Sequence, residues 1–270
     1  MSGKEIRLQR FFSRSRKVVV AAMDHAAFMG PIKGLEDPAA TCKHFAGADA
    51  VLMMPGMIPL VAQHLVSVDS PRVIARLLWH SIYCSQWDYH ESRHSPMLTV
   101  AQAVAKGADA VMASLSLHTG SEAVDAENVD LFSRCAQQAH ELGIPLLGEF
   151  FPARTETMPR EELHALIRIG CRVIAELGAD MIKTFYTGER FREVVESTPV
   201  PILVLGAEKT PTERDALVLA TKAAASGARG IVFGRNIFQS CNPPGFIQAV
   251  RAVMNENTAI EDAMRTHGLA

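Results

Sequence analysis

No cysteine pair of the CxxC kind occurs anywhere in the 270 residues. The five cysteines, Cys42, Cys84, Cys135, Cys171 and Cys241, lie far apart. An odd number at wide spacing argues against a disulfide framework and a zinc site, and for reduced thiols in the cytoplasm. Net charge is almost absent as well: 27 Lys and Arg against 29 Asp and Glu leave −2. That leaves no basic face for nucleic acid and no acidic tail. No apolar run is long enough to span a bilayer, so no membrane association is expected. The opening residues, Met1 to Arg7, lack the apolar core of a signal peptide. Domain linkers, low-complexity tracts and a dinucleotide-binding glycine fingerprint are missing too; after the first apolar run stands Met23-Asp24-His25-Ala26-Ala27-Phe28-Met29-Gly30. With 48% hydrophobic and 21% charged residues, the chain is an ordinary globular one with a large core.

What is there is a repeated phrase. Gly47-Ala48-Asp49, Gly107-Ala108-Asp109 and Gly178-Ala179-Asp180 each precede an apolar run, and Gly227-Ala228-Arg229 is a fourth variant. Each glycine is expected to end a helix in the left-handed conformation. The apolar run after it fits a strand of a parallel sheet covered on both faces. Further strands are predicted at 17–23, 73–79, 143–149 and 199–206. Helices are predicted at 37–46, 57–65, 98–106, 123–142, 160–177, 211–226 and 243–254. Eight strands alternating with helices predict a single-domain (β/α)8 TIM barrel over residues 17–270, its C-terminal helices included, after an N-terminal arm or helix at 1–16. The stretch 80–97, rich in His, Ser and aromatics, reads as a long loop and candidate lid.

The organising stretch is Ala179-Asp180-Met181-Ile182-Lys183-Thr184-Phe185-Tyr186-Thr187-Gly188. A lysine in an apolar run usually extends its ammonium to water. In an apolar pocket it instead loses its proton more readily, and the neutral amine can attack a carbonyl and form a Schiff base. In a barrel of this kind, catalytic groups sit at the C-terminal ends of strands. Those ends hold Asp24-His25, Trp79-His80-Ser81, Glu149-Phe150-Phe151-Pro152, Lys183, Gly206-Ala207-Glu208-Lys209 and Gly234-Arg235-Asn236. Strand alternation puts Met181 with Lys183, Ala22 with Asp24, and Leu147 with Glu149 and Phe151 on one side each. Asp24 would then face Lys183 and move protons; alternatively it caps a helix or pairs with Lys33 or Lys209. Glu149 moves protons, or only pairs with Lys183 or Arg154. The turns at Gly206-Ala207 and Gly234-Arg235 occupy the usual phosphate place of the fold, with a helix N-terminus behind each and Arg235 as an anion fork. The histidines His25, His80, His90, His94 and His118 have no convincing metal-ligand spacing, so no metal is expected.

Several stretches resemble the class I, archaeal-type (DhnA-like) fructose-bisphosphate aldolase family, which includes aminodideoxyheptulosonate synthases and the autoinducer-2 phosphate thiolase. They are Met23-Asp24-His25 with Gly30-Pro31-Ile32-Lys33-Gly34-Leu35, then 178–188, Lys209-Thr210, and Phe233-Gly234-Arg235-Asn236-Ile237-Phe238-Gln239. The resemblance implies a TIM barrel and a covalent Schiff base on Lys183 with no separate cofactor. It implies Asp24 beside the lysine, phosphate held by Gly206, Ala207, Gly234 and Arg235, and a homo-oligomer, with decamers among the assemblies the family forms.

One departure bears on mechanism. The family's Tyr-Pro-Arg-Gly-like stretch, whose tyrosine is an acid/base, aligns here with Phe150-Phe151-Pro152-Ala153-Arg154. Phenylalanine moves no proton, so either Glu149, His25 or a substrate group takes that part, with Glu149, acidic and at the same strand end, preferred, or the reaction differs. Phe151, Ser81 and Lys209 are expected in the substrate pocket. The expected activity is a Schiff-base lyase acting on a phosphorylated ketose or related sugar phosphate. A transaldolase-like synthase, an acyl-transferring thiolase and a non-catalytic sugar-phosphate-binding protein are the alternatives.

Overall fold

Alternation along each strand divides the apolar residues into two populations, and the computed structural model places them on two sides of one closed sheet. The structure describes residues 2–12, 17–153, 155 and 158–269, the side chain of residue 85 excepted. The strands are β1 (Val18–Ala22), β2 (Ala50–Met53), β3 (Arg72–Arg76), β4 (Leu78–His80), β5 (His94–Pro96), β6 (Ala110–Leu115), β7 (Leu146–Phe150), β8 (Met181–Thr184), β9 (Ile202–Leu205) and β10 (Gly230–Phe233). Eight of them pair in parallel around a barrel, in the order β1-β2-β3-β6-β7-β8-β9-β10 and back to β1. The fold is a single-domain (β/α)8 TIM barrel.

Val18, Val20, Ala22, Leu52, Ile74, Met112, Leu147, Met181, Leu203 and Val232 fill the interior. Their neighbours in the strands, such as Val19, Val51, Ile182 and Val204, pack outward against the helices. The helix Gly3–Phe11 begins with a capping box between Ser2 and Glu5. Its Phe11 joins the interior cluster and lies under the Arg72 guanidinium, so this helix covers the N-terminal end of the barrel. No helix is long and apolar enough to cross a membrane among the described residues.

The repeated phrase does its work at that same end. Asp49 Oδ2 accepts the Val19 N–H at 2.8 Å, Asp109 Oδ2 the Val73 N–H at 2.8 Å, and Asp180 Oδ2 the Leu146 N–H at 2.9 Å. Each aspartate thus satisfies a donor of the adjacent strand. Gly107, Gly178 and Gly227 have φ of +95°, +104° and +99°, as expected of helix-ending glycines. Gly47 does not adopt that conformation. The preceding helix already stops at Lys43, and a Cβ at 47 would come within 2.6 Å of Gln248, so closeness of approach accounts for the glycine there.

The predicted strand 73–79 also needs correction. The chain leaves the barrel after Arg76; Leu78–His80 pairs antiparallel with His94–Pro96 in a separate two-stranded sheet. The 80–97 stretch is therefore built, with short 3-10 turns at Ser81–Tyr83 and Ser85–Trp87. The helix expected at 57–65 is one turn, Ile58–Val61, running into a 3-10 turn.

Candidate active site

The inward-facing position at the upper end of five strands is polar. A cavity of about 320 Å³ opens there, lined by Asp24, Arg76, Tyr83, Glu149 and Lys183 among others. A larger depression of about 550 Å³ between the helices Arg160–Glu176 and Phe191–Glu196 lies on the outer flank and contains none of these residues.

Register explains the cluster. Ser114 on β6 stands opposite Glu149 on β7, and Glu149 opposite Lys183 on β8. Lys183 Nζ is 2.5 Å from Glu149 Oε1. Arg76, 2% exposed, ties the other half together: its Nε donates to Asp24 Oδ2 at 2.7 Å and one terminal nitrogen to Glu149 Oε2 at 2.7 Å. Its other terminal nitrogen donates to Ser114 Oγ at 3.1 Å, and that hydroxyl donates to Glu149 Oε2 at 2.7 Å. Two buried carboxylates and two buried cations form one continuous network. Paired and hydrogen-bonded, such charges are held in the interior; unpaired they would not be.

Burial alone would raise the Asp24 and Glu149 pKa values. For Asp24 the charge of Arg76, then of Lys183, reverses the sign; for Glu149 the charge of Lys183, then of Arg76, does so. Both carboxylates are held below their ordinary range. Burial lowers His25 to about 4 despite the opposing pull of Asp24, whose carboxylate lies 3.6 Å from its Nδ1. His25 is therefore neutral at pH 7, its ring seated where a Cβ on Gly234 would be, 2.2 Å from that position.

The structure brings Asp24, His25, Glu149, Lys183, Phe151, Gly206, Ala207, Gly234 and Arg235 to one cavity. Asp24 pairs with Arg76, not with Lys33 or Lys209, and Arg154 lies outside the described residues. Ser81 and Lys209 do not line the cavity. Ser81 sits beyond the break after β3, where its hydroxyl accepts the Arg93 N–H at 2.9 Å. Lys209 turns away to donate to the Gln239 carbonyl at 2.5 Å.

The phosphate side also differs from expectation. The Gly206 N–H already donates to the Val232 carbonyl, at 3.2 Å. The helix after β9 starts only at Glu213, so no helix N-terminus stands behind Gly206. After β10 the helix Arg235–Phe238 is a single turn. Arg235 donates to the Ala207 carbonyl at 2.9 Å, while its Nε is buried without a partner.

Arg76, Ser114 and Tyr83 were missed by sequence reading. Arg76 carries the same signal as Lys183, a lone cation in an apolar strand, Val73-Ile74-Ala75-Arg76-Leu77. Among the described residues no group of three or more His, Cys, Asp and Glu side chains could hold a metal.

Three histidines, His80 and His94 buried and His25 half-buried, set the first acid response. His25 is lowered to about 4, His94 to about 3, and His80 well below its ordinary value, in each case chiefly by burial. Their folded pKa values lie below the unfolded value near 6.5. Their stabilising contribution is complete above about pH 6.5 and is lost as pH falls toward the folded values, because only the unfolded chain takes up the protons. The carboxylates add to this only below about pH 4.5, where the unfolded chain protonates them. Unfolding free energy should therefore decline between pH 6.5 and 4.5. In His94→Phe the slope should lessen by roughly 1.4 kcal/mol per pH unit, one proton's worth. Parallel denaturant titrations of the two proteins check this; identical slopes would refute the assignment to His94.

A buried lysine held against a carboxylate at the mouth of a (β/α)8 barrel is compatible with Schiff-base chemistry. The chain belongs to the DeoC/LacD family of aldolases, whose profile matches residues 18–240. It is 34% identical over 270 residues to an uncharacterised aldolase of Saccharolobus solfataricus, covering 98% of this chain and 99% of that one. It is 32% identical to the 2-amino-3,7-dideoxy-D-threo-hept-6-ulosonate synthase of Halobacterium salinarum, over 99% of this chain and 97% of that one. It is 30% identical to the 3-hydroxy-5-phosphonooxypentane-2,4-dione thiolase of Salmonella paratyphi A, over 97% and 85% of the two chains. Among solved structures, a Schiff-base-forming fructose-1,6-bisphosphate aldolase superposes with a TM-score of 0.80 at 27% identity, over 93% of this chain and 99% of that one. The chain is an aldolase of class I, a class that works through a covalent lysine adduct and needs no separate cofactor.

Proposed function

We propose that Lys183 is the Schiff-base lysine and that the substrate is a phosphorylated ketose or related sugar phosphate. The observation that carries this is the placement of Lys183 Nζ at the cavity, 2.5 Å from Glu149. The amine must lose a proton before it can attack a ketone carbon, and Glu149 is the acceptor in contact with it. Attack forms a carbinolamine; loss of water gives an iminium, which accepts the electron pair of a neighbouring C–C bond as that bond breaks. Asp24, held ionised by Arg76, favours the cationic iminium electrostatically. His25, neutral at pH 7, is available to relay a proton between substrate and water.

Arg235 supports the phosphate assignment, since its unpartnered Nε leaves a donor for an anion at the cavity rim. Ala207 and Gly234 complete that rim. A cytoplasmic location and a homo-oligomeric state belong to the same proposal; the free cysteines Cys42, Cys84, Cys135, Cys171 and Cys241 favour a reducing compartment. Acyl transfer is the alternative favoured by the thiolase relative, and assaying free aldehyde against acyl-CoA separates the two.

The test is borohydride trapping with fructose 1,6-bisphosphate, fructose 1-phosphate and dihydroxyacetone phosphate, followed by peptide mapping. An adduct on Lys183 is expected with at least one of them, suppressed by millimolar inorganic phosphate. In Arg235→Ala, that suppression should need about 10- to 100-fold more phosphate, as loss of a charged hydrogen bond implies. An adduct on another lysine, or none, would reject the assignment.

A further inference from the structure

Phe151, at the end of β7 and lining the cavity, can move no proton. The cavity nevertheless holds a phenol. The chain has three tyrosines, Tyr83, Tyr89 and Tyr186. Tyr89 is 47% exposed beside Trp87, and Tyr186 packs on Phe191 at 5.2 Å. Tyr83 lines the cavity with Lys183. The small sheet of β4 and β5 and the 3-10 turn Ser81–Tyr83 deliver it there.

Its ring lies 4.7 Å from that of Phe151, edge to face, so the phenol occupies space next to it. The rings of Phe28 at 5.0 Å and His80 at 4.7 Å fix it from other sides, and the Arg76 guanidinium lies 5.2 Å over its face. The hydroxyl is buried beside Glu149 and Arg76, both within reach of a hydrogen bond to it, though neither contact has full hydrogen-bond geometry. Of the other ionisable groups lining the cavity, the buried carboxylates are engaged, and His25, whose Nδ1 is also buried without a partner, is left to relay protons to water. Asp24 and Glu149 already accept from Arg76 and Lys183. His25 is wedged on Gly234, and Glu208 stands exposed on the rim.

We propose that Tyr83 is the acid/base catalyst of the Schiff-base reaction, supplied from the loop after β4 instead of the end of β7. The inference rests on Lys183 as the Schiff-base lysine. The Tyr83 phenol gives its proton to the carbinolamine hydroxyl. The C–O bond breaks, water leaves with the bonding pair, and the Lys183 nitrogen lone pair completes the C=N bond. The phenolate left behind is compensated by Arg76 above the ring. In the next step it takes the proton from the substrate hydroxyl on the far carbon of the bond to be cleaved. The O–H pair becomes the carbonyl of the aldehyde, and the C–C pair passes to the iminium as an enamine. The phenol is thereby restored, and no co-reactant is consumed. Burial, with the Glu149 charge, holds the phenol well above the ordinary tyrosine range, so it begins the cycle protonated, as the dehydration step requires.

Tyr83→Phe removes one oxygen and keeps every ring contact. With whichever of the three ketose phosphates labels Lys183, kcat should fall about 100- to 10,000-fold while KM stays within about threefold. Phe151→Tyr in the Tyr83→Phe background puts a phenol back beside the vacated position and should recover at least about tenfold of the loss. A Tyr83→Phe protein with kcat within about threefold of the parent overturns the proposal while Lys183 labelling leaves the Schiff base standing. A loss of kcat matched by a lowered Tm and raised KM, without recovery in the double variant, assigns Tyr83 to packing and overturns it as well. Absence of any Lys183 adduct in the parent protein defeats the Schiff-base reading, and this inference with it.

Discussion

Lys183→Met should abolish C–C bond cleavage and leave the barrel standing. Turnover depends on the covalent bond to nitrogen, and removing a nucleophile of this kind costs on the order of 10⁴ to 10⁶ in rate. Stability rests on other contacts. Without the ammonium, Glu149 still accepts from Arg76 at 2.7 Å and from Ser114 at 2.7 Å. The methionine fills the same unbranched volume at the end of β8. Thermal unfolding within a few degrees of the parent is expected, together with no borohydride-stable adduct and no detectable aldehyde. Residual turnover above about one part in 10³ would place the chemistry on another residue.

Arg76→Met should do the reverse damage, to the fold first. Among the described residues, the guanidinium is the single cation that touches both Asp24 and Glu149. Its loss leaves Asp24 buried with the more weakly acting charge of Lys183 and a 3.6 Å approach from a neutral His25. Breaking one side of a buried charge network costs about 3–5 kcal/mol, which for a chain of this size is a fall of roughly 6–20 °C in Tm. Asp24 must also rise in pKa, since the larger of the cationic charges that held it down is gone. The destabilised protein should recover part of its Tm as pH falls and Asp24 is protonated, opposite in sign to the parent. Arg76→Lys should recover little, because one ammonium cannot reach both carboxylates and Ser114. A calorimetric series from pH 7 to pH 5 reads all three expectations. An Arg76→Met protein as stable as its parent would show that the network contributes nothing to folding.

The barrel was legible because its signals are local. Glycine-ended helices and continuous apolar runs recur along the chain, and Lys183 interrupts one of those runs. Arg76 interrupts another in the same way, yet the run continues through Leu77-Leu78-Trp79 without a glycine or proline. Nothing local marks the point where the chain leaves the barrel; the antiparallel partner of Leu78–His80 begins at His94. Ser81 was therefore placed at a strand end it does not occupy. Ser114 is inconspicuous among small residues, and Tyr83 reaches the cavity only through tertiary placement. The phosphate side shows the same limit from another direction. Gly206 looked like an anion-binding turn, but its N–H is used by the Val232 carbonyl, and the space above it is taken by Phe233, 2.7 Å from where a Cβ would stand.

The aspartates of the Gly-Ala-Asp phrase separate the barrel's foundations from its workshop. Asp49, Asp109 and Asp180 bind β1 to β2, β3 to β6 and β7 to β8, and all three grip the strands at their starting ends. The reacting groups stand at the finishing ends, three to five residues away along strands that rise about 3.3 Å per residue. Replacement of a mouth loop therefore leaves the staples untouched, and a family built this way can exchange one carbonyl substrate for another without first relearning how to fold. The module that repeats is the two-strand unit, and its closing carboxylate belongs to the architecture, while the lysine and its neighbours are free to be retooled.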